Sequence, residues 1–223
     1  MSGVLEFRGV SKTRGAGRHA VRALEGISLA IAAGEFVLLE GPSGSGKTTL
    51  LALAAGLLTA DRGDVVLCGR ELRAMTAPEL RRWRAARVGF VFQRANLLSG
   101  LTGRENVMLA AVLEGREPKE AEGETTALLE ALGVGALAGR RPFEMSGGEE
   151  QRFAVARSLV HAPAIVLADE PTAHLEWGSG RAVAEHLHTI ARQRDAAVLV
   201  ATHDARLAPF ADRTIRLEDG RVI

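Results

Sequence analysis

Tyrosine is absent from this chain of 223 residues, and aromatic side chains make up only 4% of it. A core must be built from aliphatic residues, and no phenol can stack on a ligand or act as an acid. Cysteine occurs once, at Cys68, which excludes an internal disulfide and fits a reducing compartment. Nothing beside Cys68 marks a reactive thiol, and it reads as a small apolar residue near a strand end. Neither sign of charge dominates. With 28 Lys and Arg against 27 Asp and Glu, the net charge is +1, and no global field argues for a nucleic-acid partner. The longest uncharged, apolar-rich run, Thr48 to Ala60, is too short to span a bilayer. The opening MSGVLEFRGVSK has no basic stretch followed by an apolar core, so no secretory signal is expected. The expectation is a cytoplasmic protein; if it works at a membrane, another chain supplies the span.

What is present centres on EFVLLEGPSGSGKTTLL, from Glu35 to Leu51. A short apolar run, Phe36 to Leu39, leads into Gly41-Pro42-Ser43-Gly44-Ser45-Gly46-Lys47-Thr48, which fits G-x-x-x-x-G-K-[ST] at every fixed position. Thr49 to Leu58 then reads as the first turns of a helix. Strand, glycine loop and helix in that order form a phosphate cradle. Glycines let successive backbone N–H groups point inward, and the helix N-terminus adds partial positive charge. Lys47 is placed to reach β- and γ-phosphates, and Thr48 to set its hydroxyl on Mg²⁺. A nucleotide-binding protein is expected.

Around that motif, Val4–Val10, Ile27–Ile31, Val65–Leu67, Val88–Phe92, Ile165–Leu167, Ala197–Ala201 and Thr214–Leu217 read as strands. KTRGAGRHA, after Ser11, reads as a mobile loop. Thr76–Ala86 is a capped helix whose Arg81, Arg82 and Arg84 read as a solvated face rather than a contact for an acidic partner. Glu105–Glu114 and Glu120–Leu132 show helical spacing, as do Ser146–Val160 and a segment from about Ser179 to Gln193. Asp219-Gly220 reads as a closing hairpin turn. Strands alternating with helices predict a mainly parallel sheet covered on both faces, interrupted by an all-helical insert. At this length one domain with an inserted subdomain is sufficient.

Two further groups bear chemistry. PAIVLADEPT, Pro163 to Thr172, is an apolar strand ending in adjacent carboxylates. Asp169 is placed to hold Mg²⁺ through water, and Glu170 to polarise a water for attack on a γ-phosphate. Ser146-Gly147-Gly148-Glu149 opens a helix and forms a second anion-binding terminus. One nucleotide needs a single cradle, so a second suggests a site shared between two copies of the chain.

The ordered set GPSGSGKTT, FVFQ, MSGGEEQR, LADEPT and ATHD resembles the ATP-binding subunit of ABC transporters across nearly the whole chain. FVFQRANLLSGLTGRENV and LADEPT resemble the branch serving lipoprotein release, macrolide-type efflux and the cell-division ATPase. The resemblance implies an α/β fold: a P-loop NTPase core with a mainly parallel sheet, a small N-terminal antiparallel β subdomain and an inserted α-helical subdomain. Its implied bounds are about 1–93 and 160–223 for the core and 94–159 for the insert. It further implies ATP and Mg²⁺ as ligands, a homodimer formed on ATP binding, a separate integral membrane permease, and a place on the inner face of the cell membrane. Gln93 would sense Mg²⁺ at the hinge, Ser146, Gly147, Gly148 and Glu149 would meet the γ-phosphate held by the other copy, and His203 would contact that phosphate from its own chain. Thr49 belongs to the cradle by the same token. His203 also has a plain reading as a strand-end surface histidine, which His19, His161, His174, His186 and His188 receive outright.

Two positions depart from the family pattern. Arg14 stands about where an aromatic ring is expected against adenine, and a guanidinium can also stack on a base. Ala173-His174-Leu175-Glu176 replaces a loop that usually ends in Leu-Asp and lies across the dimer interface in the family. The leading expectation is ATP hydrolysis powering a separate permease. The alternative is a non-transport or regulatory ATPase of the same type, favoured only by those departures. A small-molecule kinase leaves Ser146–Glu149 and His203 without a role, and the long coiled coil or duplicated core of repair and translation ATPases is missing.

Overall fold

The computed structural model describes residues 3–15, 17, 20–173 and 175–223. His19 and His174, read above as surface histidines, lie outside them. In chain order the elements are β1 (Leu5–Arg14), β2 (Val21–Ile31), β3 (Phe36–Glu40), α1 (Lys47–Ala54), β4 (Arg62–Leu67), β5 (Arg70–Glu71), α2 (Ala77–Arg87) and β6 (Val88–Val91). There follow α3 (Gly103–Glu114), α4 (Pro118–Ala131), α5 (Gly147–Leu159), β7 (Ile165–Asp169), α6 (Trp177–Arg194), β8 (Ala197–Ala201), β9 (Arg213–Glu218) and β10 (Arg221–Val222).

The strands form two sheets, an antiparallel one in the order β2-β1-β4-β5 and a larger one in the order β10-β9-β3-β8-β7-β6. In the larger sheet β9, β3, β8, β7 and β6 are parallel, and only β10 runs against its neighbour. Its central strands are apolar up to their last residues, Glu40 of β3 and Asp169 of β7, because both faces are covered. Phe36, Leu38, Val166, Val198 and Val200 point into one cluster with α3, α4, α5 and α6. Val37, Leu39, Ile165, Leu167 and Leu199 point into another with α1 and the antiparallel sheet. Period-two alternation thus feeds two cores from one set of strands, and each fully buried aliphatic side chain contributes about 1.5–3 kcal/mol.

Parallel pairing puts the C-terminal ends of β3, β8, β7 and β6 along one edge. Leu39 pairs with Ala201, Ala201 with Asp169, and Ala168 with Val91. The glycine loop, the carboxylate pair, His203 and Gln93 all follow these ends. Ligands of open α/β sheets bind at such an edge.

Several boundaries differ from the sequence reading. The expected loop after Ser11 is strand as far as Arg14, and β2 begins at Val21, because Asp61 accepts hydrogen bonds from Lys12 Nζ and Thr13 N, each at 2.7 Å. The helix expected to reach Leu58 stops at Ala54. Gly56, at φ 63°, turns the chain out, with Gly56 N bonded to Leu53 O and Leu57 N to Ala52 O. His161 is buried rather than on the surface, its Nε2 3.2 Å from Val88 O. His188 is half-buried between the rings of Phe36 and Phe210. The Asp219-Gly220 turn has positive φ at both residues and joins Glu218 to Arg221, as expected.

Candidate functional site

A cleft of about 650 Å³ opens at the C-terminal edge of the parallel sheet. Its floor is the glycine loop. Gly46 caps α1 in a left-handed conformation, with no side-chain cap and no acidic residue in the helix's first turn. The N-terminus of α1 is therefore left to whatever occupies the cleft. Two glycines are required by close backbone approach. A Cβ on Gly46 would overlap Ala23 O, and one on Gly41 would overlap Leu217 O. Lys47 folds back over the loop, donating from Nζ to Gly41 O at 2.7 Å and Pro42 O at 3.0 Å. Pro42, Ser43, Gly44, Thr48 and Thr49 complete this wall. Ser45 turns inward instead, buried and with its Oγ unpartnered.

The opposite wall comes from β7 and β8. Thr48 Oγ1 donates to Asp169 Oδ2 at 2.8 Å, joining the cradle to the first carboxylate. Burial pushes the Asp169 carboxyl up; the Thr48 hydrogen bond opposes the shift, the Glu170 charge adds to it and the Lys47 charge opposes it. A half-buried carboxylate of this kind is relieved by a cation. Hydroxyl and carboxylate oxygens are the hard donors that suit Mg²⁺. Among the described residues no group of three or more His, Cys, Asp or Glu side chains could hold a metal. Glu170 sits at φ 48°, a region non-glycine residues seldom occupy. Its N–H donates to Ala201 O at 2.8 Å, and Thr202 Oγ1 donates to its Oε2 at 3.0 Å. His203 Nδ1 lies 2.7 Å from Glu170 Oε1, so histidine and carboxylate form a pair at the cleft wall. The Glu170 side chain is 13% exposed and that of His203 82%, which leaves the imidazole as the accessible member. Gln93 also lines the cleft.

Arg14, Val21 and Ala23 also line the cleft. Arg14 Nη1 stands 3.5 Å from Thr49 Oγ1, so the guanidinium lies beside the cradle where the ring was expected.

With this geometry, the comparisons with known proteins agree. The sequence profile described as ABC transporter matches residues 24–173. The Escherichia coli (strain K12) protein named uncharacterized ABC transporter ATP-binding protein YbbA is 39% identical over 98% of this chain and 96% of its own length. The chain belongs to the ABC transporter family. It is an ABC ATPase domain. The macrolide export ATP-binding/permease protein MacB of Neisseria meningitidis serogroup A is 40% identical over 99% of the chain, which spans only about a third (34%) of that protein. Among solved structures, the dimeric bacterial ABC transporter cassette MJ0796 superposes with a TM-score of 0.93 at 35% identity, covering 98% of this chain and 96% of that one. A dimeric post-hydrolysis form of MJ0796 bound to ADP and Pi gives 0.90 at 34% identity, with coverages of 98% and 96%. The ABC fold therefore stands, with its P-loop core, antiparallel sheet and helical segment.

In this ABC domain Ser146, Gly147, Gly148 and Glu149 do not line the cleft. They form the N-terminus of α5, where Ser146 Oγ accepts from Glu149 N at 3.3 Å and Glu149 Oε2 accepts from Ser146 N at 2.6 Å and Ser146 Oγ at 2.9 Å. Those hydrogen bonds, led by the one from the Ser146 backbone, hold the Glu149 carboxyl below its ordinary value. The sequence reading missed the groups that bind α5 to the Gln93 segment. Gln151 Nε2 donates to Phe92 O at 3.1 Å, and Arg157 donates to Ala95 O at 2.7 Å and Asn96 O at 2.8 Å. All the acceptors are backbone carbonyls, which leave no trace in residue type. No helix among the described residues is long and apolar enough to cross a membrane.

Proposed function

We propose that this ABC domain hydrolyses Mg-ATP between two copies of itself and that closure of the pair drives a separate membrane permease. The observation that carries the reading is the separation of two anion seats. One helix N-terminus, that of α1, lines the cleft together with the carboxylates. The other, that of α5, lies outside it and is available to a second molecule.

In this reading the α1 terminus and Lys47 bind the phosphate chain of ATP, while Arg14 stacks on the base. Thr48 and Asp169, with Gln93, would hold Mg²⁺, which would supply charge neutralisation to the phosphate chain. Glu170 accepts a proton from the attacking water at a carboxylate oxygen, and His203 keeps that carboxylate oriented while facing the γ-phosphate. Ser146, Gly147, Gly148 and Glu149 of the other copy close the site. Residues 1–93 and 160–223 act as the catalytic core and 94–159 as a helical subdomain that carries the α5 seat.

A groove of about 530 Å³ lies where this subdomain meets the core, with Phe92, Leu113, Arg81, Arg84, Arg157 and His161 among its lining. Its mixed lining of apolar side chains and arginines fits an amphipathic, acidic segment of the permease, in place of the solvated face expected for Arg81, Arg82 and Arg84, and would place the domain at the inner face of the membrane. Nucleic acid has no role in this scheme.

The test is the solution mass of Glu170→Gln by light scattering, with and without Mg-ATP. A dimer only with nucleotide is expected. A Glu170→Gln chain that binds ATP tightly yet stays monomeric, beside a parent that hydrolyses ATP as a monomer, overturns the shared site.

A further inference from the structure

Beside the cleft, one side chain straps together three stretches of chain. Arg206 opens the short 3-10 turn Ala205–Phe210, which Asp204 caps by accepting from Arg206 N at 2.9 Å. Arg206 Nε lies 2.8 Å from Oδ1 and 2.7 Å from Oδ2 of Asp204. Its Nη1 donates to Leu175 O and Glu176 O, each at 3.2 Å, and its Nη2 to Thr172 O at 3.1 Å. Thr172 Oγ1 closes the ring by donating to Asp204 Oδ2 at 2.5 Å.

The Arg206 and Asp204 side chains are 13% and 14% exposed, a setting in which an unpaired charge would be costly. Burial alone would raise the Asp204 carboxyl, but hydrogen bonds from Arg206 and Thr172 prevail and hold it down at about 2. Only a planar fork with five donors can serve one carboxylate and three carbonyls at once, and lysine cannot. The chain makes room for it. Gly180, in α6, has no side chain where a Cβ would overlap Arg206 Nη1. The guanidinium also lies 5.6 Å from the ring centre of Trp177, which is otherwise 70% exposed.

Both ends of this strap matter. Asp204 directly follows His203, the partner of Glu170. Leu175 packs beside the α5 terminus, its Cδ2 3.4 Å from where a Cβ on Gly148 would stand. The structure thus holds a continuous physical link from the Glu170–His203 pair, through Asp204 and Arg206, to the Ser146-Gly147-Gly148 turn.

We propose that Arg206 is a positioning residue that couples the two seats of one chain, so that engagement of the α5 turn by a second copy's nucleotide sets the geometry of Glu170 and His203 in its own cleft. The proposal rests on the shared-site reading and adds a cause for communication between the two sites. Arg206 does not line the cleft, so its role is orientation rather than contact with nucleotide.

The experiment uses the full chain with Trp83→Phe, which leaves Trp177 as the single tryptophan reporter, since the sequence has two. Arg206→Ala is expected to lower kcat roughly 10²-fold, the scale of a misplacement remote from the chemistry, with KM for ATP within about 3-fold of the parent. The ATP-induced change in Trp177 emission should be lost with it, and Arg206→Lys should not restore either. Gly180→Ala, which keeps Arg206 but pushes its guanidinium away on a helix that favours alanine, should reproduce the kcat loss if Arg206→Ala fails to fold. Parental kcat and an unchanged Trp177 response in these variants, in a chain that still pairs with ATP, overturn the coupling role alone. Absence of ATP-driven pairing in the Glu170→Gln form overturns the shared-site reading, and the coupling role with it.

Discussion

The N-terminus of α1 follows a glycine-rich turn and α5 begins with two glycines, yet the two are finished in opposite ways. At α1 the cap is a left-handed glycine with no side-chain acceptor and no acidic residue in the first turn. At α5 a serine caps the helix, a glutamate closes the capping box, and Glu149 and Glu150 both sit in the first turn. A helix start must satisfy its free N–H groups with something. The α5 terminus does so within its own chain, whereas the α1 terminus has no side-chain partner and, in the proposed mechanism, is completed by nucleotide phosphates. The difference separates a primary anion seat from one that serves another molecule only when that molecule competes with an internal carboxylate.

The sharpest break in this comparison is at Lys47. It adds an ammonium group to the open seat, where its Nζ now rests on Gly41 O and Pro42 O. Lys47→Ala is expected to reduce ATP turnover by about 10²–10³-fold, the usual cost of removing a charged group from a preorganised phosphate site. Phosphate release and titration calorimetry check this, and near-parental binding would sink the assignment of the α1 seat.

The glycines of the two seats give the next contrast. Gly46 lies at φ 107° and its Cβ would overlap Ala23 O, so Gly46→Ala should destabilise the fold by about 1–3 kcal/mol, read as a lowered Tm. Gly147 has open space around the same position and sits within helix. Gly147→Ala is expected to leave Tm unchanged or raise stability by up to about 1 kcal/mol, and to leave ATP binding by the single chain intact. ATP-driven dimerisation of the Glu170→Gln form should nevertheless be lost. A Gly147→Ala chain that pairs normally would show that the α5 turn needs no close approach by nucleotide.

How much of this was legible in the sequence follows from the same contrast. The α1 seat, Asp169 and Glu170 are contiguous motifs at the ends of apolar strands, so residue order alone places them at one edge of a parallel sheet. The two cores were legible too, because strands apolar up to their last residues need cover on both faces. Arg206 and Asp204 were not, since their partners are a hydroxyl and carbonyls far off in sequence. The same holds for Gln151 and Arg157, which hold the segment around Gln93 through backbone oxygens. Local stops misled where a single residue overrides a run. Gly56 ends α1 inside an apolar stretch, and Asp61 draws a glycine-rich loop into β1. Ser45 belongs to the loop by pattern but packs inward, because alternate residues of a tight turn cannot all face the ligand.

The smallest expected effect isolates the charge that distinguishes the two seats. Glu149→Gln keeps a side chain able to accept from Ser146 N but removes the negative charge from the α5 terminus. In the folded chain the Glu149 carboxyl is depressed from its ordinary 4.5 by hydrogen bonds from the Ser146 backbone and hydroxyl. Its contribution is therefore fully present above pH of about 4.5 and is lost as pH falls through the lowered folded value. At neutral pH the substitution should cost only about 0.5 kcal/mol, as expected for a charge–dipole contact exposed to water. The gap between the two proteins should close on acidification, because the parent alone loses the term. Pairing should respond in the opposite direction. A carboxylate on the N–H groups of α5 repels a phosphate approaching the same groups, so Glu149→Gln should dimerise at a lower ATP concentration despite its weaker cap. Urea denaturation between pH 3 and 7, beside light scattering across an ATP series, reads both effects. If stability and pairing fall together, the carboxylate is part of the surface the second copy recognises rather than its competitor.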